Sequence, residues 1–315
     1  MKNFNTFVSI VAITLGLASC TPPIIPVPAN PQAFFDANGV PIQTKIITLG
    51  SGVVKVSFSK GTTLTFNNDS VVNANGSVFT GNAVLQVREI ASKADALLSN
   101  VLTVSGEQQL VSGGMFFLDL KKEADGAPLN VNPAKGVAAA VPLKTNAAGT
   151  PAIDDKMQQF IADSIPLATG DSSVNWKPVA GQFGIDKTTL PGSYVFSIFN
   201  KGWVNCDFFY SDARPKTTLG VTFDAINDAN TIVFMIPQNI NSVISLYTKD
   251  GANKRKSYIN SVPVGLNTEI VAITFNGGKQ YLARKTITVT ANLTENLTFV
   301  ETSTTDIKAY LETLN

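Results

Sequence analysis

Two-residue alternation of apolar and polar side chains limits this chain more than any other feature of its sequence. In Val53-Val54-Lys55-Val56-Ser57-Phe58 the apolar residues Val54, Val56 and Phe58 share one face, and in Thr62-Thr63-Leu64-Thr65-Phe66 Leu64 and Phe66 do the same. That period belongs to half-buried strands, and Gly61 between the two segments fits a hairpin. Further strands are expected over 84–90, 115–120, 137–142, 193–199, 231–236, 243–247, 270–275 and 286–290. They are separated by Asn38-Gly39, Asn75-Gly76, Gly113-Gly114, Asp125-Gly126, Asp250-Gly251 and Gly277-Gly278, dipeptides that favour tight turns. Many short strands with few helical stretches point to an all-β chain of two antiparallel β-sandwich domains. Only 306–314 reads as a helix, with Ile307, Tyr310, Leu311 and Leu314 on one stripe and Thr305 or Asp306 as its cap. Residues 153–161 carry a weaker helical stripe between Pro151 and Pro166 and are read as strand.

The N-terminus carries an address. Lys2 precedes an apolar run from Phe7 to Leu17, the size of the apolar core of a signal peptide and too short to span a bilayer. It ends in Leu17-Ala18-Ser19-Cys20, which resembles a bacterial lipobox. The resemblance implies cleavage after residue 19 and acylation of Cys20, whose acyl chains exceed what stable anchoring requires. Thr21-Pro22-Pro23-Ile24-Ile25-Pro26-Val27-Pro28, followed by Pro31, reads as an extended tether. The expected order is a signal peptide at 1–19, the lipidated cysteine and tether at 20–32, a first sandwich at 33–150, a connecting segment at 151–192, a second sandwich at 193–300 and a tail with a short helix at 301–315. Thr21 stands where inner-membrane retention favours aspartate, so the outer membrane is expected, with the leaflet open.

Composition narrows the chemistry. The chain has no histidine, which removes imidazole bases, imidazole metal ligands and Ser-His or Cys-His nucleophile pairs. Loss of Lys2 with the signal leaves 23 basic and 23 acidic residues, so no nucleic-acid partner is implied. Ser57-Phe58-Ser59-Lys60 matches S-x-x-K, but a strand sends Ser57 and Lys60 to opposite faces and no partner motif accompanies it. Asp36-Ala37-Asn38-Gly39 and Asn73-Ala74-Asn75-Gly76 read as turns rather than calcium loops. No cofactor, metal site or catalytic residue is expected, and the chain reads as non-enzymatic. Trp203 with Phe208 and Tyr210 forms a candidate ligand platform for a glycan. Ser70 and Ser164, in Asp-Ser-aliphatic triplets, are candidate O-glycosylation sites. Cys206 has no second cysteine once Cys20 is acylated and reads as a small buried hydrophobe, with a reactive thiol as the alternative.

One string supports a broader resemblance: Val87-Arg88-Glu89-Ile90, then Lys93 to Asn100, then Leu110-Val111-Ser112-Gly113-Gly114-Met115-Phe116-Phe117. It resembles a family of uncharacterised Bacteroidota-type lipoproteins whose N-terminal module is similar to the β-sandwich of ankyrins and netrin receptors. In that family a stretch like Gly202-Trp203-Val204-Asn205-Cys206-Asp207 opens the second module. The resemblance implies no activity, and the self-cleavage of some eukaryotic members needs a histidine that this chain lacks. The functional expectation is a lipid-anchored envelope protein that meets the membrane through Cys20 and binds a protein or glycan ligand. The alternatives are a glycan-binding accessory beside an outer-membrane importer and, less supported, a histidine-free hydrolase. In the second sandwich, Gly202–Asp207 is expected in or just after the first strand, with Trp203 and Asn205 on one face, Val204 and Cys206 on the other, and a bulge at Asn205 that lets both contribute to the core.

Overall fold

The computed structural model describes residues 28–144, 154–162, 175–179, 192–224 and 226–314. The lipobox, most of the tether and Ser164 lie outside them. Its principal elements, in chain order, are α1 (Pro31–Asn38), β1 (Gln43–Leu49), β2 (Val54–Ser57), β3 (Thr63–Phe66), β4 (Gly81–Ile90), α2 (Lys93–Leu98), β5 (Gln108–Lys122), β6 (Val137–Pro142), β7 (Gln158–Ala162), β8 (Ser193–Ile198) and β9 (Gly202–Phe209), followed by β10 (Gly220–Phe223), β11 (Thr231–Pro237), β12 (Lys254–Lys256), β13 (Asn267–Asn276), β14 (Lys279–Thr288), β15 (Thr294–Leu297) and α3 (Thr304–Glu312).

The strands make two sandwiches. In the first, a sheet ordered β1-β4-β5-β9-β7 packs on a sheet ordered β8-β6-β3-β2. Leu64, Phe66, Leu85, Leu118, Phe196 and Cys206 are among the side chains buried between them. The second pairs a sheet built on β12, β10 and β15 with one ordered β11-β13-β14, around Val221, Met235, Ile270, Ala272 and Leu297. Every ladder among these labelled strands is antiparallel except β10 with β15.

A third apolar cluster joins the sandwiches, and it explains why several strands are apolar on both faces. Alternate residues of β11 and β13, Phe234, Ile236, Val271, Ile273 and Phe275, point away from the second core. They meet α1, α2 and α3, together with Met115 and Trp203 from the outer face of the first sheet. Phe34 and Phe35 of α1 lie against Phe275 and Phe234, with ring centroids 5.9 and 6.2 Å apart. Burying each such side chain contributes roughly 1.5–3 kcal/mol.

Local signals account for the helices. Asn30 Oδ1 accepts from Ala33 N at 2.8 Å, and Pro31 occupies the first turn of α1, where its missing N–H costs nothing. The tether therefore ends before Pro31, not at residue 32. A capping box of Ser92 and Asp95 opens α2. Ser303, rather than Thr305 or Asp306, caps α3, and Ile307 and Leu311 are fully buried beneath it.

The division of the chain differs from the sequence expectation. β8 pairs with β6, and β9 lies between β5 and β7, so 193–209 completes the first sandwich instead of opening the second. β9 is buried on both sides: Val204 and Cys206 face the first core, while Trp203 faces the cluster between the sandwiches. The expected conflict between its two faces does not arise, because helices and the second sandwich cover the outer one. The bulge falls between Cys206 and Asp207 rather than at Asn205.

Candidate ligand cleft at the sandwich junction

That bulge organises the candidate site. Cys206 stands opposite Gly114 and Asp207 opposite Ser112, so Gly113 is the unpaired extra residue on β5. A Cβ on Gly113 would lie 3.0 Å from the Cys206 carbonyl oxygen and 3.2 Å from the Tyr194 ring, and Gly114 has φ of 136°, which disfavours any side chain. The bulge gathers three buried polar residues. Ser112 Oγ donates to Asn205 Oδ1 at 3.2 Å and accepts from Gly114 N at 3.1 Å. Asn205 Nδ2 donates to Asp207 Oδ2 at 2.6 Å. Asp207 Oδ1 is buried with no hydrogen-bond partner, and burial pushes this carboxyl well above the usual carboxylate range. Asn241, from the segment after β11, clasps the bulge from the second sandwich: its Nδ2 donates to the Ser112 carbonyl and its carbonyl accepts from Ser112 N at 2.9 Å.

Beside the bulge lie two adjoining cavities of about 440 and 370 Å³, which share Gly113, Lys144 and Asn241 in their walls. The larger carries Lys60, Lys93 and Lys144 together with Glu89. The carboxylates nearby are already committed. Glu89 is buried and accepts from the backbone N–H of Thr62 and Lys60 at 2.9 and 2.8 Å and from Gln43 Nε2 at 2.8 Å. Asp95 caps α2 and takes the Lys60 ammonium at 2.6 Å. Among the described residues, neither Lys93 nor Lys144 forms an ion pair; Lys93 Nζ reaches only the Pro237 carbonyl, at 3.4 Å. Burial lowers the Lys93 pKa. It lowers that of the half-buried Lys144 to about 8, the Lys93 charge adding to the effect and Asp207 and Asp95 opposing it.

This arrangement is built to receive negative charge. Two ammonium groups border one cavity, neither of them ion-paired among the described residues, and a partly desolvated site strengthens their attraction for an anion. Ser112 is not set up as a nucleophile on Lys144, because its hydroxyl is engaged by Asn205 and Gly114.

The residues expected from sequence fall elsewhere in part. Trp203 is 3% exposed and packs edge-on against Trp176 and Phe117, with centroids 6.2 and 5.5 Å away, so it offers no platform. Phe208 and Tyr210 are half-buried and line the smaller cavity, where the Lys156 ammonium lies 5.8 Å from the Phe208 ring centroid. Ser70 is fully buried and its Oγ accepts from Asn67 N, which removes it as a glycosylation acceptor in the folded chain. Cys206 is fully buried, and burial raises its thiol pKa well above the ordinary value. Lys93, Lys144, Asp207 and Asn241 were not legible as site residues. Lys93 and Asp207 stand inside the quoted strings without any sign that they approach one cavity. Compared with known proteins, the chain matches no family model and no curated sequence, so function is argued from the site itself.

Proposed function

We propose that this chain is a lipid-anchored, non-enzymatic binding protein of the cell envelope, held at the outer membrane through Cys20, and that its cleft takes an anionic group, a carboxylate or phosphate carried by a protein or glycan ligand. The anchor is supported by Leu17-Ala18-Ser19-Cys20 and the proline-rich segment behind it. The binding role is carried by one observation: Lys93 and Lys144 border the same cavity while Glu89 and Asp95 are engaged elsewhere. Keeping a lysine poorly solvated beside a second cation disfavours its charged form, and an anion between the two ammonium groups relieves that cost.

The test compares thermal unfolding of the wild-type chain and Lys144→Gln in phosphate, sulfate, citrate and chloride at matched ionic strength. A multivalent oxyanion should raise the wild-type midpoint above its value in chloride and leave the variant with a clearly smaller increment. Equal increments in the two proteins would assign the effect to general salt stabilisation and remove the reading.

A further inference from the structure

A separate cavity of about 370 Å³ opens where the turn at 105–108 of the first sandwich meets the second. Its volume lies within the roughly 300–1,000 Å³ range of small-molecule sites. The floor is apolar, with Leu102, Met235 and Val262 buried beneath it. Two tyrosines stand in its wall. Tyr247 is 61% exposed, a large ring left in water on the rim of a concave site. Tyr258 is half-buried beside the Glu107 carboxylate, which raises the pKa of its hydroxyl.

Two features specify what this cavity would accept. Gln109 Nε2 is buried at its wall without a hydrogen-bond partner, and an unpaired buried donor is costly until a ligand supplies an acceptor. Glu107, by contrast, is an acceptor only, and it is the one charged side chain among the described lining residues. Among the described lining residues there is no cation to hold an anion, so this site differs in kind from the Lys144 cleft. A ligand that meets all of these groups has an apolar face for the phenol rings and neutral hydroxyls at its edge that both donate and accept.

We infer that this cavity binds a neutral pyranose ring, alone or as a unit of a glycan, with its C–H face on Tyr247 and Tyr258, one hydroxyl donating to Glu107 and another accepting from Gln109 Nε2. The inference does not depend on the anion cleft. It moves the aromatic platform from buried Trp203 to a pair of tyrosines contributed by the second sandwich.

Saturation-transfer NMR on the mature chain with neutral hexoses, N-acetylhexosamines and their disaccharides tests it, with choline as an organic-cation probe. At least one neutral saccharide should receive saturation on its ring C–H protons. Its affinity should fall about tenfold in Tyr247→Ala and also fall in Glu107→Gln, both at exposed positions that leave the fold intact, while Lys144→Gln leaves it unchanged. The inference is overturned if no saccharide in the panel receives saturation, if both variants bind as the wild type does, or if choline binds and the saccharides do not. Sugar binding that survives in Lys144→Gln, in a protein without an anion-specific thermal shift, would uphold this site and refute the other.

Discussion

Replacing Lys144 by methionine should make the protein more stable at neutral pH. Methionine keeps the length and apolar stem of the side chain and removes the ammonium. In the folded chain that ammonium has a pKa of about 8 against 10.5 for a free lysine; at about 1.4 kcal/mol per pK unit the separation amounts to about 3 kcal/mol. Solvent screening of a half-buried chain reduces this, so a gain of roughly 1–3 kcal/mol is expected for the variant at pH 7. The pH dependence carries a definite sign. Below pH 8 both folded and unfolded lysines are protonated and the folded state bears the whole cost. Between about 8 and 10.5 the folded lysine is neutral while the unfolded one still binds its proton, so wild-type stability recovers; above 10.5 the cost is gone. Denaturant unfolding of both proteins at pH 7 and 10.5 measures this directly, and subtracting the variant removes contributions from other titrating groups. The stability advantage of Lys144→Met should shrink as pH rises. A variant less stable than wild type at pH 7, or a difference independent of pH, would refute the claim that Lys144 is held in an unfavourable charged state.

Asp207→Asn keeps a hydrogen-bonding group beside Asn205 and removes a carboxyl whose pKa burial has raised, so its stability relative to wild type should improve as pH rises above about 4, read by unfolding at pH 4 and 7. Cys206→Ala should cost about 1–2 kcal/mol through lost apolar burial; the native wild-type thiol should stay silent to an aromatic disulfide reagent until denaturant is added, and rapid labelling without denaturant would contradict its burial. Cys20→Ala should move the protein from the membrane to the soluble fraction, and a variant that stays membrane-bound after a carbonate wash would rule out acylation as the anchor.

The strands were readable wherever one face met water, as at β2 and β3, because period-two alternation records that boundary. β9 was not placed correctly. It carries apolar side chains on both faces, with Asn205 and Asp207 among them, which does not say what covers each face, and the partner on which its placement depends is remote: Ser112 and Asn205 are 93 residues apart. The helix α2 has six residues, too few to show a periodic stripe, and its one usable signal was the capping pair Ser92 and Asp95. Asn30-Pro31 marked the start of α1 but followed a proline-rich stretch and was absorbed into it. Trp203 and Tyr247 show the same limit from the other side. Both are large aromatics in strand-rich segments, and only the tertiary packing decides that the tryptophan is core and the tyrosine is surface. Lys144 follows an apolar strand and looks like an ordinary terminating charge; its lowered pKa exists because β5, α2 and the segment after β11 converge on it.

Calorimetric titration of a multivalent oxyanion at pH 8.5, repeated in buffers of different ionisation enthalpy, tests the binding cleft most directly. At that pH the unliganded Lys144 is mostly neutral, and an anion that raises its pKa should draw roughly half to three-quarters of a proton per site in the wild type. Lys144→Gln should lose this uptake together with most of the affinity. Binding without proton uptake, or with the same uptake in Lys144→Gln, would show that the anion is held somewhere other than the Lys144 cleft.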